Sequence, residues 1–437
     1  MKVQIYSLGC RLNKAEALIW EKQLKESGLK SDREVVIVNT CAVTAKAEKE
    51  TRQLLRQLRH KYPQALLAAA GCWATLQNQK LKIKDQKLDK NENLADLLFD
   101  NKNKKDLVEI IRNYLEKKNK EVSKTSSLSR DKVSQLSNLA QFEKAGRYFV
   151  KIQDGCDKFC SYCIVPFLRG RSRSINPDEI IRQINSLVKK GAQEVTLTGV
   201  DIAHYQAKSV KCKVQNCRKD GLSGLLSRIL EETEIPRIRL GSVYPETFTD
   251  ELLKLYSKNW PRLCRHFHIS LQSGCNKTLK RMNRRYTVEE FKQTLKRIRK
   301  AIPGVNITTD VIVGFPGETK TEFSESYKNI KAMGFGKIHV FPFSLRPGTT
   351  ASKKEKEWGR VTHSIKLQRA KKMRTLSQTL SQKLRQKFIG KKLTVLVEGR
   401  DKNGSWWGLS DNYIRVKVNS QKKSELGQIK ALNFIQG

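Results

Sequence analysis

Three cysteines fall within eight residues near the middle of the chain, in the segment IQDGCDKFCSYCIVPFLRGRSRS. They are Cys156, Cys160 and Cys163, referred to below as the central trio. Structural zinc sites and ordinary ferredoxin clusters use four protein ligands, and no further cysteine or histidine follows close by. The spacing therefore favours a 4Fe–4S cluster with three irons held by thiolate and a fourth iron open to a substrate. A zinc site completed by a distant residue, or three unrelated thiols, is the alternative.

A second set of three cysteines is spaced evenly through the N-terminal part of the chain. Cys10, Cys41 and Cys72, the N-terminal trio, lie 31 residues apart, and each ends an apolar run. If these runs are parallel strands, their carboxyl ends share one edge of a sheet, where ligands bind. Taken alone, the three residues fit buried core thiols better. Beside the central trio, they predict a second cluster with an open iron.

The elements that would position the N-terminal trio alternate between strands and helices. The runs VQIYSLGC, VVIVNTC and ALLAAAGC predict buried parallel strands, and TAKAEKETRQLLRQLRHKYP predicts a basic helix that ends at Pro63. This order indicates an open, doubly wound α/β domain over residues 1–118. The polar segment over residues 119–141 is predicted to be a linker.

A second strand–helix alternation spans residues 142–375 and contains the central trio. Its six predicted strands are RYFVKI, EVTLTG, RIRLGS, HFHISL, ITTDVIVG and KIHVFPFS. Six parallel strands separated by helices indicate an open, partial barrel related to the TIM barrel, with its chemistry at the C-terminal strand ends. The candidates for binding a cofactor are four residues at these ends, Thr198, Gly199, Ser242 and Gln272, together with Asp310 within the fifth strand. Turn formation and ordinary strand-end hydrogen bonds are the alternative for each of them.

Residues 378–437 alternate apolar and polar residues around Gly and Asn turns, a pattern that predicts a small β-barrel. Aromatic and basic residues are interleaved there, which suits stacking and phosphate contacts with unpaired RNA. We expect RNA contacts from Lys391, Trp406, Trp407 and Tyr413, while at least one of the aromatic side chains fills the core of the small barrel.

The chain carries 86 Lys and Arg residues against 43 Asp and Glu residues, a formal net charge of +43. Such an excess favours a polyanionic partner such as RNA, DNA or the ribosome, and a lysine-rich genome is the alternative explanation. Arg169 and Arg171 follow the central trio. Their planar guanidinium groups suit a carboxylate or an RNA phosphate, with a solvated basic loop as the alternative.

The cysteines also bear on the cellular compartment. The start, MKVQIYSLGC, predicts a strand rather than a secretory signal, and no apolar stretch approaches the length of a membrane span. We therefore expect a cytoplasmic protein with no membrane partner, whose thiols bind metal rather than form disulfides. Cys212 and Cys217 lie in a basic insertion, and their pattern does not define a role for them.

The central trio has the form Cys-x3-Cys-x-aromatic-Cys, with Tyr162 as the aromatic residue, which is the signature of the radical S-adenosylmethionine enzymes. The segments SLGCRLNKAE, VNTCAVTAKAEKETRQ and AGCWAT resemble the N-terminal cluster domain of the methylthiotransferases within that group. The segments EVTLTGVDIAHY, HFHISLQSGCNKTLKRMNRRYT, TTDVIVGFPGETKTEF and FPFSLRPGTTA resemble that family's barrel in order and spacing. The C-terminal β segment is similar to its RNA-binding TRAM domain, so the resemblance covers nearly the whole chain.

This resemblance implies a reaction with two clusters and two molecules of S-adenosylmethionine. One molecule would donate a methyl group to sulfur on an auxiliary 4Fe–4S cluster at the N-terminal trio. The other would be cleaved at the catalytic cluster of the central trio, and the resulting radical would abstract hydrogen from the carbon that receives the methylthio group. The electron would come from a protein such as flavodoxin or ferredoxin.

Members of this family act on an adenosine next to the tRNA anticodon or on an aspartate of a ribosomal protein. The positive charge and the basic β segment favour RNA, and LKRMNRRYT together with YSLGCRLNKAE is most similar to the threonylcarbamoyladenosine branch. We therefore expect conversion of N6-threonylcarbamoyladenosine in tRNA to its 2-methylthio derivative. The alternatives are isopentenyladenosine in tRNA, the ribosomal-protein aspartate, and a non-catalytic iron–sulfur protein that binds RNA.

Overall fold

A computed structural model of the chain describes residues 3–28, 33–82, 94–122, 145–206, 221–401, 403–418 and 426–434. Its contacts divide the chain into two units. The first unit comprises Met1–Gln141 together with Phe167–Gly170, and the second comprises Phe142–Pro166 and Arg171–Gly437. Residues 123–141 of the predicted linker, and also Cys212 and Cys217, lie outside the described residues.

The first unit is built on a parallel sheet of four strands in the order β1-β2-β3-β4. Its strands are β1 (Val3–Ser7), β2 (Val35–Thr40), β3 (Leu66–Gly71) and β4 (Leu97–Phe99). Its helices are α1 (Arg11–Glu26), α2 (Ala45–Lys61), α3 (Cys72–Lys82) and α4 (Leu107–Val122), and a short 3-10 helix spans Asn103–Asp106. The three predicted strands are confirmed, and every residue of β2 and β3 is buried, as in parallel sheets covered on both faces.

The core of the first unit explains why α1 and the sheet belong together. Trp20 and Leu24 of α1 pack against Ile37 of β2 and Leu66 of β3. At the start of the predicted helix α2, the Thr44 side chain accepts a hydrogen bond from the Ala47 N–H. The last turn of α2 is basic, and positive charge there interacts favourably with the negative end of the helix dipole. The sequence did not predict β4, which has only three residues.

The second unit contains six parallel strands that match the six predicted ones. They are β5 (Arg147–Lys151), β8 (Glu194–Thr198), β9 (Arg237–Leu240), β11 (His266–Ile269), β12 (Asn306–Val313) and β13 (Lys337–Pro342). They form two hydrogen-bonded sheets, β5-β8-β9 and β10-β11-β12-β13, where β10 is the short strand Ser242–Val243. An isolated parallel bridge pairs Ile238 of β9 with Leu263, three residues before β11. The open, partial barrel predicted from the sequence is therefore present as two adjacent parallel sheets.

Helices connect and cover these strands. They are α5 (Val165–Arg169), α6 (Pro177–Lys189), α7 (Leu222–Glu232), α8 (Asp250–Lys258), α9 (Asn276–Arg281), α10 (Val288–Ala301), α11 (Lys320–Met333), α12 (Thr350–Lys353), α13 (Glu355–Trp358) and α14 (His363–Gln386). A small antiparallel pair, β6 (Gln153–Asp154) and β7 (Arg173–Ser174), flanks the loop that carries the central trio. Helix α14 continues through the predicted domain boundary near residue 375 and packs on β13. Among the described residues, no helix is both long and apolar enough to cross a membrane.

An antiparallel sheet of four strands ends the second unit, in the order β16-β15-β14-β17. Its strands are β14 (Lys392–Arg400), β15 (Trp406–Ser410), β16 (Arg415–Val418) and β17 (Ile429–Asn433). The inward residues Val395, Val397 and Val416 form its core, and the arrangement is consistent with the predicted small β-barrel.

Buried arginines join this antiparallel sheet to the barrel. Arg237 and Arg239 of β9 both bind the carboxylate of Glu194, with N–O distances of 2.8 Å from each Nε. Their remaining N–H groups donate to main-chain carbonyls of the sheet, at Thr394, Leu409, Ser410 and Asp411. Because both guanidinium groups are buried, these bonds fix the sheet against the barrel.

Candidate metal and cofactor sites

The central trio lies on the loop between β6 and α5, just after the first barrel strand. Cys156 and Cys160 are buried and Cys163 is half-buried, and the Cys163 N–H closes a turn on the Cys160 carbonyl at 2.9 Å. Burial raises the pKa of Cys156 to about 11 and that of Cys163 to about 12. Because metal ligation requires thiolates, a cluster that binds here has to displace these protons.

The side-chain amide of Gln153 anchors the loop of the central trio. Its Nε2 donates to the Gly155 carbonyl at 2.7 Å and to the Ser172 hydroxyl at 2.9 Å. Its Oε1 accepts from the main-chain N–H groups of Val200 and Asp201 at 2.9 and 2.8 Å. One buried amide therefore ties the cysteine loop, the return to β7 and the loop after β8 together.

Two predicted cofactor residues lie at the end of β8. Thr198 is buried, and its carbonyl accepts a hydrogen bond from the Ile152 N–H. A side chain at Gly199 would lie 2.7 Å from Ile202 and 2.9 Å from Gln153, so glycine is required by this close packing. Close packing therefore explains why glycine occupies position 199, while a contact of Gly199 with a cofactor stays a prediction.

The other three predicted cofactor residues are neighbours across the second parallel sheet. Gln272 has a positive φ of 73°, and its N–H donates to the Asp310 carbonyl at 2.9 Å. Ser242 is exposed and pairs in register with His268. The carboxylate of Asp310 lies 3.0 Å from the His268 Nε2, a pairing that the sequence did not predict. Ser242, Gln272 and Asp310 therefore lie on neighbouring strands, and their contact with a cofactor stays a prediction.

Arg284 is a candidate site residue that sequence reasoning missed. It is buried, and it donates to the Cys160 Sγ at 3.4 Å and to the Ser270 carbonyl at 2.8 Å. Its guanidinium also lies 4.6 Å from the ring centroid of Tyr244 and 4.8 Å from that of Tyr286. Arg284 belongs to the LKRMNRRYT segment, so the signal was present, but nothing in the segment indicated a contact with a cysteine 124 residues away.

The N-terminal trio lies at the carboxyl edge of the first sheet, as predicted. Cys10 follows β1 by three residues, and Cys41 and Cys72 come directly after β2 and β3. Cys41 and Cys72 are buried, and burial raises the pKa of Cys41 to about 12. A side chain at Gly9, whose φ is 81°, would lie 2.7 Å from the Cys41 Sγ, so the β1 loop closes tightly over this thiol.

The binding of a cluster at either trio stays a prediction. Within the described ranges, no three His, Cys, Asp or Glu side chains are close enough to hold one metal ion. In a 4Fe–4S cluster each thiolate binds a different iron, so the sulfur atoms need not converge on one point. The Cys41 thiol nevertheless lies close enough to Cys72 and Cys10 that a negative charge on either would raise its pKa. Three soft donors around one sheet edge suit such a cluster.

The expectation that Arg169 contacts RNA is corrected by its position. Arg169 is buried within the first unit, where it donates to Asn13 at 2.7 Å and to Glu16 at 3.2 Å. Its guanidinium group is therefore hydrogen-bonded to protein side chains and is not accessible to a phosphate. Arg171 is 75% exposed and lies 3.2 Å from Asp157, so its contact with RNA stays a prediction.

The aromatic residues of the antiparallel sheet have different environments. Trp406 is buried in the sheet core, which corrects its assignment to RNA stacking. Tyr413 stacks on His266 of the barrel with ring centroids 4.4 Å apart. Trp407 is half-buried beneath the guanidinium of Arg415, which lies 4.4 Å from its ring centroid, and Lys391 is exposed. Trp407 is therefore the aromatic side chain with a surface position suited to a base.

We predict that Trp407→Ala weakens tRNA binding by about 1–3 kcal/mol, the usual loss for one base–aromatic stack. Filter binding or fluorescence anisotropy with full-length tRNA measures the effect. Trp406→Phe serves as the control, because it keeps an aromatic ring in the core and is expected to leave affinity unchanged. Equal affinities for Trp407→Ala and the unmodified chain would remove Trp407 from the RNA surface.

Two family models match the chain. Residues 150–330 match the radical SAM superfamily, and residues 2–91 match a family described as uncharacterized protein family UPF0004. The threonylcarbamoyladenosine tRNA methylthiotransferase MtaB of Aquifex aeolicus is 33% identical over 98% of this chain and 99% of its own length. The chain belongs to the radical S-adenosylmethionine tRNA methylthiotransferase family.

Other relatives of this methylthiotransferase carry two different names. The threonylcarbamoyladenosine tRNA methylthiotransferase MtaB of Bacillus subtilis is 31% identical over 95% of this chain and 89% of the relative. A tRNA-2-methylthio-N(6)-dimethylallyladenosine synthase of Oceanobacillus iheyensis is 32% identical over 92% of this chain and 75% of the relative. Identity therefore supports tRNA methylthiolation by a radical enzyme that uses S-adenosylmethionine and an iron–sulfur cluster, and it does not separate the two substrates.

Solved structures with a similar fold support the architecture of the methylthiotransferase. The radical S-adenosylmethionine methyltransferase TsrM of Kitasatospora setae, solved with cobalamin and a 4Fe–4S cluster bound, gives a TM-score of 0.54 at 15% identity. The match covers 80% of this chain and 77% of that one. At this identity the likeness concerns the fold alone.

Proposed function

We propose that the chain converts N6-threonylcarbamoyladenosine next to the tRNA anticodon to its 2-methylthio derivative, using two 4Fe–4S clusters. The observation that carries this proposal is the presence of two thiol trios, one in each unit. The N-terminal trio lies at the ends of parallel strands, and the central trio lies on one loop after the first barrel strand. Radical formation alone requires only the central trio. The N-terminal trio offers a second set of soft ligands, as a site that holds the transferred sulfur would need.

The residues around the central trio have distinct roles in this proposal. A cluster held by Cys156, Cys160 and Cys163 would supply the electron that cleaves S-adenosylmethionine. Arg284 places a positive charge beside Cys160, and Gln153 holds the cysteine loop in place. The cofactor would be bound by the residues predicted from the sequence, Thr198, Gly199, Ser242, Gln272 and Asp310.

The proposed reaction replaces the C2–H bond of the adenine ring with a C2–S–CH3 group. The methyl group comes from one S-adenosylmethionine, which leaves as S-adenosylhomocysteine. The hydrogen is carried away as 5′-deoxyadenosine from the second S-adenosylmethionine, whose other product is methionine. One electron from a flavodoxin or ferredoxin would start the cleavage, and one electron is released when the C–S bond forms. One sulfide has to be supplied for each product. We place the reaction in the cytoplasm, with tRNA as the substrate.

Two sequence segments support threonylcarbamoyladenosine over the dimethylallyl substrate. SLGCRLNKAE positions Asn13 three residues after Cys10, where it is buried and its amide donates to the Leu8 and Thr40 carbonyls at 2.8 and 3.0 Å. LKRMNRRYT contributes Arg284 beside the central trio. Both segments that resemble the threonylcarbamoyladenosine branch therefore lie against a cysteine trio.

Mass spectrometry of tRNA nucleosides from a strain that lacks the gene tests the proposed substrate. We expect 2-methylthio-N6-threonylcarbamoyladenosine to be absent and unmodified N6-threonylcarbamoyladenosine to accumulate in its place. Complementation with the unmodified gene should restore the product, and a gene carrying Cys10→Ala should not.

Each other outcome points to a different activity. Loss of the 2-methylthio form of isopentenyladenosine would assign the dimethylallyl substrate instead. An unchanged nucleoside profile, with loss of methylthio-aspartate from a ribosomal protein, would overturn the proposed tRNA substrate. A strain in which neither modification changes would indicate a non-catalytic RNA-binding protein.

A further inference from the structure

A buried arginine lies beside the N-terminal trio. Arg169 donates from Nη2 to the Asn13 Oδ1 at 2.7 Å and from Nη1 to the Glu16 Oε1 at 3.2 Å. The same Asn13 oxygen lies 3.6 Å from the Cys10 Sγ. Arg169, Asn13 and Glu16 are 4%, 1% and 4% exposed, so the positive charge is held out of water next to the thiols.

A second arm of this network runs from Glu16 through Lys104 and Asn101 to Cys72. Lys104 donates to the Glu16 Oε1 at 2.6 Å and to the Asn101 Oδ1 at 2.7 Å. These bonds orient the Asn101 amide so that its Nδ2 points to the Cys72 Sγ at 3.7 Å. The same Nδ2 also donates to the Thr75 hydroxyl and to the Leu168 carbonyl, each at 3.0 Å, and both Asn101 and Lys104 are buried.

The two arms respond differently when the cysteines become thiolates. The contact from Cys10 to Asn13 needs the thiol proton, so it is lost on metal ligation. The contact from Asn101 to Cys72 uses an N–H donor, so it strengthens when the sulfur carries a negative charge. The hydrogen bond from Asn101 to Cys72 is therefore the one of these two contacts that persists once a metal is ligated.

The charged side chains of this network are buried. Arg169 and Lys104 both contact Glu16, and all three side chains are at most 6% exposed. Positive charges held out of water stabilise an anionic group that lies nearby. A 4Fe–4S core bound by three thiolates is anionic, so these two charges have the sign that such a cluster requires.

We propose that Arg169 and Asn101 are positioning residues that raise the reduction potential of a cluster at the N-terminal trio. Nearby positive charge and N–H donation to a ligand sulfur both stabilise the more negative, reduced cluster, which raises its potential. The inference rests on the proposed second cluster.

The test isolates that cluster in the full-length chain, by replacing Cys156, Cys160 and Cys163 with alanine. After anaerobic reconstitution with iron and sulfide, a redox titration followed by electron paramagnetic resonance gives the midpoint potential. Arg169→Gln is expected to shift the potential downward while the iron content stays at about four per chain. Arg169→Lys keeps the charge and is expected to recover most of the shift.

Arg171→Gln is the matched control, because it removes a guanidinium two residues away that is 75% exposed, and it should leave the potential unchanged. An Arg169→Gln potential equal to that of the parent would overturn the proposal. If Arg169→Gln loses its iron, Asn101→Leu decides, with a downward shift expected and an unchanged potential overturning the proposal. If the parent itself binds no iron, the proposed second cluster fails instead.

Discussion

Replacing Cys156, Cys160 and Cys163 together with alanine is expected to lower the iron and sulfide content from about eight of each to about four of each per chain. The same variant should form no 5′-deoxyadenosine, because the central trio is the one proposed to hold the cluster that cleaves S-adenosylmethionine. Iron and sulfide assays on anaerobically reconstituted protein, with chromatography of S-adenosylmethionine products, measure both effects.

The complementary replacement of Cys10, Cys41 and Cys72 separates the two halves of the reaction. It should also remove about four irons, yet it should leave reductive cleavage of S-adenosylmethionine in place while the methylthio product disappears. Cys275→Ser is the control, because this buried thiol belongs to neither trio and its replacement should keep all the iron. Equal iron content in a triple variant and the unmodified chain would show that the altered trio holds no cluster.

Glu194→Gln is expected to destabilise the chain by about 3–5 kcal/mol, the usual cost of breaking a buried ion pair. Glu194 is fully buried, and its carboxylate balances the guanidinium groups of Arg237 and Arg239. The substitution keeps the shape of the side chain but removes the negative charge that pairs with the two buried guanidinium groups. Urea unfolding followed by circular dichroism measures the loss.

The buried ion pairs of Glu194 also predict that the stability of the chain depends on pH in the acid range. Burial alone would raise the pKa of Glu194, but the guanidinium groups of Arg239 and Arg237 outweigh burial and hold that pKa well below its usual range. Its contribution is therefore complete above the ordinary glutamate pKa of about 4.3 and is lost as the pH falls further. Glu194→Gln should flatten this part of the stability profile.

Glu232→Gln provides the control for this effect. Glu232 pairs with Arg228 on the surface and is 42% exposed, so its replacement should cost no more than about 1 kcal/mol. A Glu194→Gln variant as stable as the Glu232→Gln variant would contradict the role given to the buried pair.

The strands and the cysteine edges were predictable because both are local patterns. Apolar runs such as VVIVNTC are typical of buried strands, and a cysteine that ends such a run is placed at the sheet edge by geometry alone. The six barrel strands were identified on the same basis. This part of the fold, and with it the six candidate ligands, needed no knowledge of tertiary contacts.

The partners of charged residues were not predictable, because they depend on contacts distant in sequence. RIRLGS alternates charged and apolar residues, a pattern typical of a strand with one solvated face. Arg237 and Arg239 are nevertheless buried, and both donate to Glu194, which lies 43 and 45 residues away in the sequence. Arg169 resembles a surface arginine in RGRSRS, and only its bond to Asn13, 156 residues away, shows that it is buried. Trp406 and Trp407 differ in burial by the alternation of a single strand.

The Gln153 amide has a consequence for how related chains should be compared. Because it bonds to three separate segments at once, its length is matched to their separation, and asparagine would be one methylene too short to reach all of them. A chain can therefore keep every cysteine and still be unable to hold the loop that presents them. Counting ligands is insufficient for inferring activity in a distant homologue, and the residue three positions before the first cysteine of the central trio should be checked as well.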